Sequence, residues 1–348
     1  MKHILLPEAS GTTKYYKANL HCHSNLSDGR KTPAELKQFY KDNGYSILAI
    51  TDHDVFIPHN DLTDEDFLML NGFEFEITEP KPAFHLAKCC HICYVALDES
   101  MKTSICYHRT NYLFGNATQH RDMLTIDESK PDYVRSYTPE CINDMIKTGR
   151  EAGFFVTYNH PVWSMESYPE YSAYTGMNAM EIVNYGCVAA GYDDDNGQVY
   201  RDMLEEGKRI FCIAADDNHN HHPDYSPDCD SFGGYIVVAA DKLDYKTVAA
   251  SLEKGQFYAS TGTSTEKGPQ IHYLAYEDGK VHIKCSPAKQ ISLMTSTRSN
   301  GVRNAGNGEY VSEAWFDVRP DEGWFRLTVR DEHGYKAYTN AYFLDELK

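Results

Sequence analysis

Five apolar segments in this chain break off at the same kind of residue. "ANLHCH", "ILAITDHD", "NGFEFE", "TYNHP" and "IAADDNH" each run from buried-type side chains straight into His, Asp or Glu. Apolar runs of this length read as strands. Between them lie segments with helix start and stop signals. Thr32-Pro33-Ala34-Glu35 forms a capping box with proline in the first turn, and the helix it opens carries an apolar stripe of Leu36, Phe39 and Tyr40. Thr138-Pro139-Glu140 opens a second helix that ends at Gly153, and a third runs from near Asn196 to Glu206. Strand alternating with helix argues for parallel βα units. In a parallel barrel the C-terminal strand ends meet in one mouth. A chain that loads those ends with ionisable side chains, strand after strand, is bound to gather them there.

The rest of the chain fills in this plan. "FLMLNGFEFEI", "CHICYVAL", "AMEIVNYG" and "GGYIVVAA" read as further strands. Residues 98–137 form a long polar, Tyr-rich insertion with weak periodicity, a candidate lid over the mouth. Around Gly268-Pro269 the pattern changes to alternating strands with Asp-Gly and His-Gly turns. The expected architecture is an α/β barrel over residues 1–267 and a small antiparallel, sandwich-like β-domain over 268–348.

Charge and composition exclude several classes of function. Lys plus Arg total 33 against 51 Asp plus Glu, a net charge of −18 that repels phosphate backbones, so nucleic acid is not expected as a partner. The N-terminal segment lacks the apolar core of a signal peptide, and no run approaches the roughly 20 apolar residues of a membrane span. A cytoplasmic protein with no membrane partner is expected. The cysteines number 10; several sit inside strand-like runs, which suits reduced, buried thiols. Cys90 and Cys93 make a lone CxxC without a second pair, a poor zinc or redox signal. The sequence leaves the oligomeric state open.

His21 and His23 lie two apart on a strand end and so share a face. Alone, such a pair is weak evidence. Asp28 follows in a Ser-Asp-Gly turn, His53 ends the next strand, Glu74 the third, and His160 precedes Pro161; Asp217 and His219 form a DxH. Imidazole with carboxylate and no cysteine suits Zn²⁺, Mn²⁺ or Fe²⁺. Three choices stay open: Glu74 or Glu76, Asp216 or Asp217, and His85 or His91 within "FHLAKCCHICYVAL". Asp52 and Asp54 flank His53 as supporting carboxylates or turn residues. No Ser-His-Asp elbow, cysteine nucleophile, GxGxxG or Walker loop appears, so attack by water is preferred to a covalent intermediate.

In their order, "NLHCHSNLSDG", "ILAITDHD", "NGFEFE", "YNHP" and "ADDNH" resemble the motifs of the PHP (polymerase and histidinol phosphatase) superfamily across residues 16–265. The stretch "GQFYASTGTS" followed by a β-domain resembles its carbamate-cleaving, carbaryl-hydrolase-like subgroup. The resemblance implies a distorted seven-stranded TIM-like βα barrel with three divalent cations in its mouth. One metal would take His21, His23, Glu74 and Asp217. A second would share Glu74 and add His91, favoured over His85 by its place at the start of an apolar strand, and His160. The third would take Asp28, His53 and His219. It implies a metal-dependent phosphoesterase acting on a small phosphorylated or cyclic-phosphate molecule through a metal-bridging hydroxide. The rivals are an amide or carbamate hydrolase with the same cluster, and a non-catalytic metal-binding module. Asp216 and His221 are candidates for the proton donor, and His222 for substrate contact. Phosphate usually also draws Arg or Lys; Lys102, Arg109, Arg121 and Arg135 lie in the insertion.

Overall fold

The structure, a computed structural model, describes residues 1–347. Its elements in chain order are β1 (Lys2–Leu6), β2 (Lys14–Asn19), α1 (Pro33–Asp42), β3 (Ile47–Ile50), β4 (Leu68–Thr78), β5 (Cys89–Ala96), α2 (Pro139–Ala152), β6 (Phe154–Tyr158), α3 (Tyr168–Tyr171), β7 (Ala179–Asn184), α4 (Tyr185–Ala189), α5 (Gly197–Glu205), β8 (Phe211–Ala215), β9 (Gly234–Ala240), α6 (Tyr245–Glu253) and β10 (Phe257–Thr261). Eight more strands follow: β11 (Ile271–Glu277), β12 (Lys280–Ala288), β13 (Gln290–Thr295), β14 (Gly301–Asn304), β15 (Val311–Asp317), β16 (Trp324–Arg330), β17 (Lys336–Thr339) and β18 (Tyr342–Phe343). None of the helices is long and apolar enough to cross a membrane, among the described residues.

The signals read from sequence act as expected at the helices. Thr32 accepts from the Glu35 amide while Glu35 returns to the Thr32 amide, and Leu36, Phe39 and Tyr40 are buried. Thr138 caps α2 through the Cys141 amide, and Gly153 closes it in the left-handed conformation, φ 93°.

The strands form a mixed α/β structure around one large sheet. Its order is β14-β13-β16-β17-β10-β9-β2-β3-β4-β5-β6-β7-β8, with β18 on β16. The parallel pairs are β2–β3, β3–β4, β6–β7 and β7–β8. The wholly parallel barrel expected from the alternation does not form. β5 runs antiparallel to both β4 and β6, and β9 antiparallel to β2. The reason lies in the connection. Residues 79–88 hold only a single 3-10 turn at Phe84–Leu86, too few for a crossover, which takes about a dozen residues or more. The row curls until β8 lies against β9: a Cβ at Gly234 would stand 2.4 Å from the Ala215 carbonyl oxygen. No ladder joins those two strands among the described residues, so the sheet stays open.

A second sheet, β1-β11-β12-β15, is antiparallel throughout. Its inner face packs on β13 and β16 through Leu274, Ile283, Phe316, Leu293 and Leu327. The expected division at residue 267 is crossed twice. The first strand of the chain, β1, pairs with β11, and β10 pairs with β9 on one edge and β17 on the other. The main core fills the curled part of the large sheet and the space beneath α2 and α5.

Candidate metal centre

The side chains that follow β2, β3, β6 and β8 meet those of β4 and β5 at one end of the curled sheet. Glu74 is central and 1% exposed. Its Oε1 lies 3.2 Å from His21 Nε2, 3.3 Å from His91 Nδ1 and 3.5 Å from His160 Nε2. Its Oε2 lies 3.3 Å from His23 Nε2 and 3.4 Å from His53 Nδ1. Asp217 Oδ1 is 3.1 Å from His21 Nε2 and 3.0 Å from His23 Nε2, and its Oδ2 is 3.6 Å from His160 Nε2. Asp28 Oδ2 is 3.3 Å from His219 Nε2 and 3.7 Å from His53 Nε2. All nine residues singled out as ligands therefore share one constellation.

Within it, three groups bring their donor atoms within 4.8 Å of one another: His21, His23, Glu74 and Asp217; His23, Asp28, His53 and His219; and His53, Glu74 and His91. The first is the set the resemblance implied. The second adds His23 to the expected third set. The last holds His53 where His160 was expected; His160 Nε2 lies 3.5 Å from Glu74 Oε1 and 3.6 Å from Asp217 Oδ2, outside that group.

The donor set fits bound cations. His23 Nδ1, His53 Nδ1, Glu74 Oε2 and His91 Nε2 are buried and have no hydrogen-bond partner, and an orphaned buried polar atom is costly unless something satisfies it. The local field also calls for positive charge. Burial works against charging His21 and His23, yet the neighbouring carboxylates, Asp217 foremost, hold both well above the ordinary histidine value. Burial opposes His91 too, and Glu74 holds it up. Burial would raise Glu74 and Asp28, but surrounding histidines keep both well below the carboxylate range. His53 is the exception, pushed down to about 3 chiefly by burial. Six histidines around three carboxylates, with His21, His23 and His91 drawn toward a cationic state, suit divalent ions of borderline softness.

The open choices resolve by placement. His91 is 3% exposed within β5, whereas His85 lies exposed in the 3-10 turn before it. Glu76 points the same way as Glu74 but further out, its Oε2 3.8 Å from His91 Nε2. Asp216 does not reach the mouth. Its carboxylate accepts from Tyr40 Oη and from the Phe232 and Gly234 amides, all at 2.8 Å, tying β8 to β9, and burial pushes it up to about 7. Its candidacy as proton donor falls, because consecutive residues at the strand end point to opposite sides and Asp217 takes the inner one. His221 does line the mouth, stacked on His219 with ring centroids 5.8 Å apart. His222 lines it as well, and both rings are exposed.

Several supporting groups went unread in the sequence. Glu181, 0% exposed in β7, accepts from His21 Nδ1 at 2.7 Å and from the His160 amide at 2.9 Å. The signal was there: a lone carboxylate inside the apolar run "AMEIVN". Asn159 Nδ2 donates to Glu74 Oε1 at 2.7 Å. Asp52, by contrast, was read from the sequence as a supporting carboxylate or turn residue; it takes the Ser24 amide and both Ser24 and Ser27 hydroxyls, shaping the turn that presents Asp28. That turn needs Gly29, where a Cβ would stand 2.3 Å from the His23 carbonyl oxygen. Strain gathers here also: Asp54, His160, Asp217 and Asn220 are non-glycine residues in the left-handed region, φ 59°, 24°, 51° and 57°.

Above the ligands opens a cavity of about 590 Å³. Phe84, Phe114 and Trp163 give it aromatic surface, and Glu76, Asp228 and Asp230 line it as well. No lysine or arginine lines it among the described residues. The basic residues of the insertion are engaged elsewhere. Arg135 is buried against Asp54, Arg109 pairs with Asp132 and Glu128, and Arg121 donates to the His108 and Arg109 carbonyls. Lys102 is exposed away from the cavity lining. Of the insertion 98–137, Phe114 alone reaches the mouth.

No protein-family model matches the chain, and no curated protein matches it. Among solved structures it is similar to a two-domain protein from Bacteroides vulgatus containing a predicted PHP-like metal-dependent phosphoesterase. The identity is 15%, with a TM-score of 0.45, covering 98% of this chain and 90% of that one. It is similar to an amidohydrolase from Chromobacterium violaceum with bound sulfate and no metal (17%, TM-score 0.36, 61% and 93% covered). It is similar also to a metal-dependent phosphoesterase candidate from Bifidobacterium adolescentis (13%, TM-score 0.35, 60% and 90% covered). The functional reading rests on the cluster itself.

Proposed function

We propose that this chain is a metal-dependent hydrolase of the PHP type, a phosphoric ester hydrolase acting on a small molecule, with up to three divalent cations in the cluster around Glu74. One observation carries this reading: nine ligand-type side chains, from within β4 and β5 and from just past β2, β3, β6 and β8, converge at a cavity, with buried donor atoms left unpaired. Such cations, when bound, supply Lewis acidity and activate water at neutral pH. The rest is work for the chain. His21, His23, Glu74 and Asp217 would hold one cation; Asp28, His53 and His219, with His23 beside them, would hold another; Glu74, His91 and either His53 or His160 would hold a third. Glu181 fixes the His21 ring so that Nε2 faces inward. Trp163, packed on the His91 and His160 rings at 5.2 and 5.0 Å, keeps bulk water from that side. Arg30 Nε donates to His221 Nδ1 at 3.0 Å, so neutral His221 carries its proton on Nε2. That N–H is at the mouth, placed to donate a hydrogen bond to a leaving oxygen.

A second reading, hydrolysis of an amide or carbamate by the same cluster, is favoured by the lack of any cationic side chain in the cavity lining among the described residues. The experiment is metal analysis of the purified protein with a screen against phosphomonoesters, phosphodiesters and a carbamate ester. Phosphoester turnover that is lost with the metal supports the first reading, and carbamate turnover alone the second. In the His21→Ala, His23→Ala double variant, unchanged metal content would overturn the ligand assignment.

A further inference from the structure

The cavity walls say what the rest of the substrate carries, given the hydrolase reading above. Part of the lining is aromatic. Phe84 is 56% exposed and Phe114 41% exposed, large apolar side chains left open at the rim of a cavity; folding alone gives no reason for that. The Phe84 and Trp163 rings stand 6.2 Å apart, tilted by 53°. Phe114 lies 5.3 Å from the His53 ring, so apolar surface begins directly beside the ligands.

The lining is also acidic. Glu76, Asp228 and Asp230 line the cavity with no lysine or arginine beside them among the described residues. Arg30 is exposed beside His221, its Nε donating to that ring, and is not among the residues that line the cavity. Arg135 is locked against Asp54 and sandwiched by the Phe75 and Tyr112 rings at 4.2 and 4.1 Å. Cations in the cluster can offset the ligand carboxylates and one phosphoryl group. A second anion on the substrate would meet the lining acids with nothing to balance it, and like charges in a partly dry cleft repel strongly.

We propose that the site takes phosphoesters whose remaining part is flat and apolar and bears no negative charge of its own. Polyphosphates, bisphosphorylated sugars and phosphorylated acids are thereby excluded.

Two matched pairs of probes test this on the metal-loaded protein. 2-Phenylethyl phosphate against propyl phosphate reads the apolar wall. The amide of 4-(carboxymethyl)phenyl phosphate against the free acid reads the charge at nearly constant leaving group. Each first-named compound is expected to be favoured at least about tenfold in kcat/KM, the scale of discrimination a pocket wall gives. Phe84→Ala, a change at an exposed side chain, is expected to shrink the first ratio several-fold. Asp228→Lys is expected to shrink the second. Binding of phenylacetamide and phenylacetate by ligand-observed NMR gives a readout that needs no turnover. If all four phosphates are inert but phenylacetamide binds in preference to phenylacetate, the hydrolase reading fails and the pocket assignment stands. If the acid is cleaved, or phenylacetate bound, as well as its amide, or if Phe84→Ala leaves the first ratio unchanged, the proposal is overturned.

Discussion

At the scale of single residues, the candidate ligands were legible and most of their supports were not. A ligand placed just past a strand end leaves a visible mark, an apolar run stopping at His or Asp. Glu181 sits mid-strand with no such mark, yet its carboxylate sets the His21 tautomer and holds the His160 backbone. Glu181→Gln is therefore expected to lower metal affinity by about 10–100-fold, read by titration of the chelated protein; an unchanged affinity would reduce Glu181 to a packing role. Glu166 gives a pH prediction away from the cluster. It accepts the hydroxyls of Tyr137, Tyr158 and Tyr174, but burial outweighs them and pushes it up to about 7 from 4.5. A carboxyl that keeps its proton when folded contributes stability fully below 4.5, and loses it as pH rises through 7. The Glu166→Gln variant should gain on the wild type between those values, by up to ~3 kcal/mol, in denaturation curves at each pH. A constant difference across that window would contradict the assignment.

At the scale of elements, helices and most strand positions followed from local chemistry, because caps and apolar stripes act over a few residues. Strand direction did not. The run "CHICYVAL" reads equally well parallel or antiparallel, and the shortness of residues 79–88 decides it. The insertion 98–137 gave the least signal, since its order depends on a distant partner. Arg135 supplies that partner. It forks onto Asp54, donates from Nη1 to the Glu76 carbonyl at 3.2 Å, and stacks between Phe75 and Tyr112, pinning the end of the insertion beside His53. Arg135→Met would leave Asp54 buried without its countercharge. A loss of about 3–5 kcal/mol is expected, measured by urea unfolding. The double variant Arg135→Met, Asp54→Leu should recover much of it, because removing both charges also removes the stranded one. If the single variant loses under about 1 kcal/mol, as for an exposed ion pair, Arg135 is no anchor.

At the scale of the whole molecule, the change in strand style near Gly268 is real in the sequence but does not mark where hydrogen bonding stops. A period of two identifies strands without naming their partners, so nothing in "KHILL" told that it would pair with β11. The large sheet runs on through β10 into β17. Asn340, past β17, accepts from the Cys212 amide of β8 at Oδ1 and donates from Nδ2 to the Gly255 and Phe257 carbonyls. Removing residues 268–348 would strip β10 of a neighbour, strand β1, and orphan those buried backbone groups, each costly without water. The catalytic end and the C-terminal sheets are accordingly expected to unfold together. The three tryptophans allow a direct check, because Trp163 stands in the mouth while Trp315 and Trp324 belong to β15 and β16. Single-tryptophan variants followed by fluorescence should show one midpoint in denaturant, coincident with loss of far-ultraviolet dichroism. A segment of residues 1–267 alone should show no cooperative transition. Two separated midpoints, with Trp163 leaving at one and Trp324 at the other, would make the change near Gly268 a thermodynamic boundary after all, and the shared strand pairing a contact between independent units.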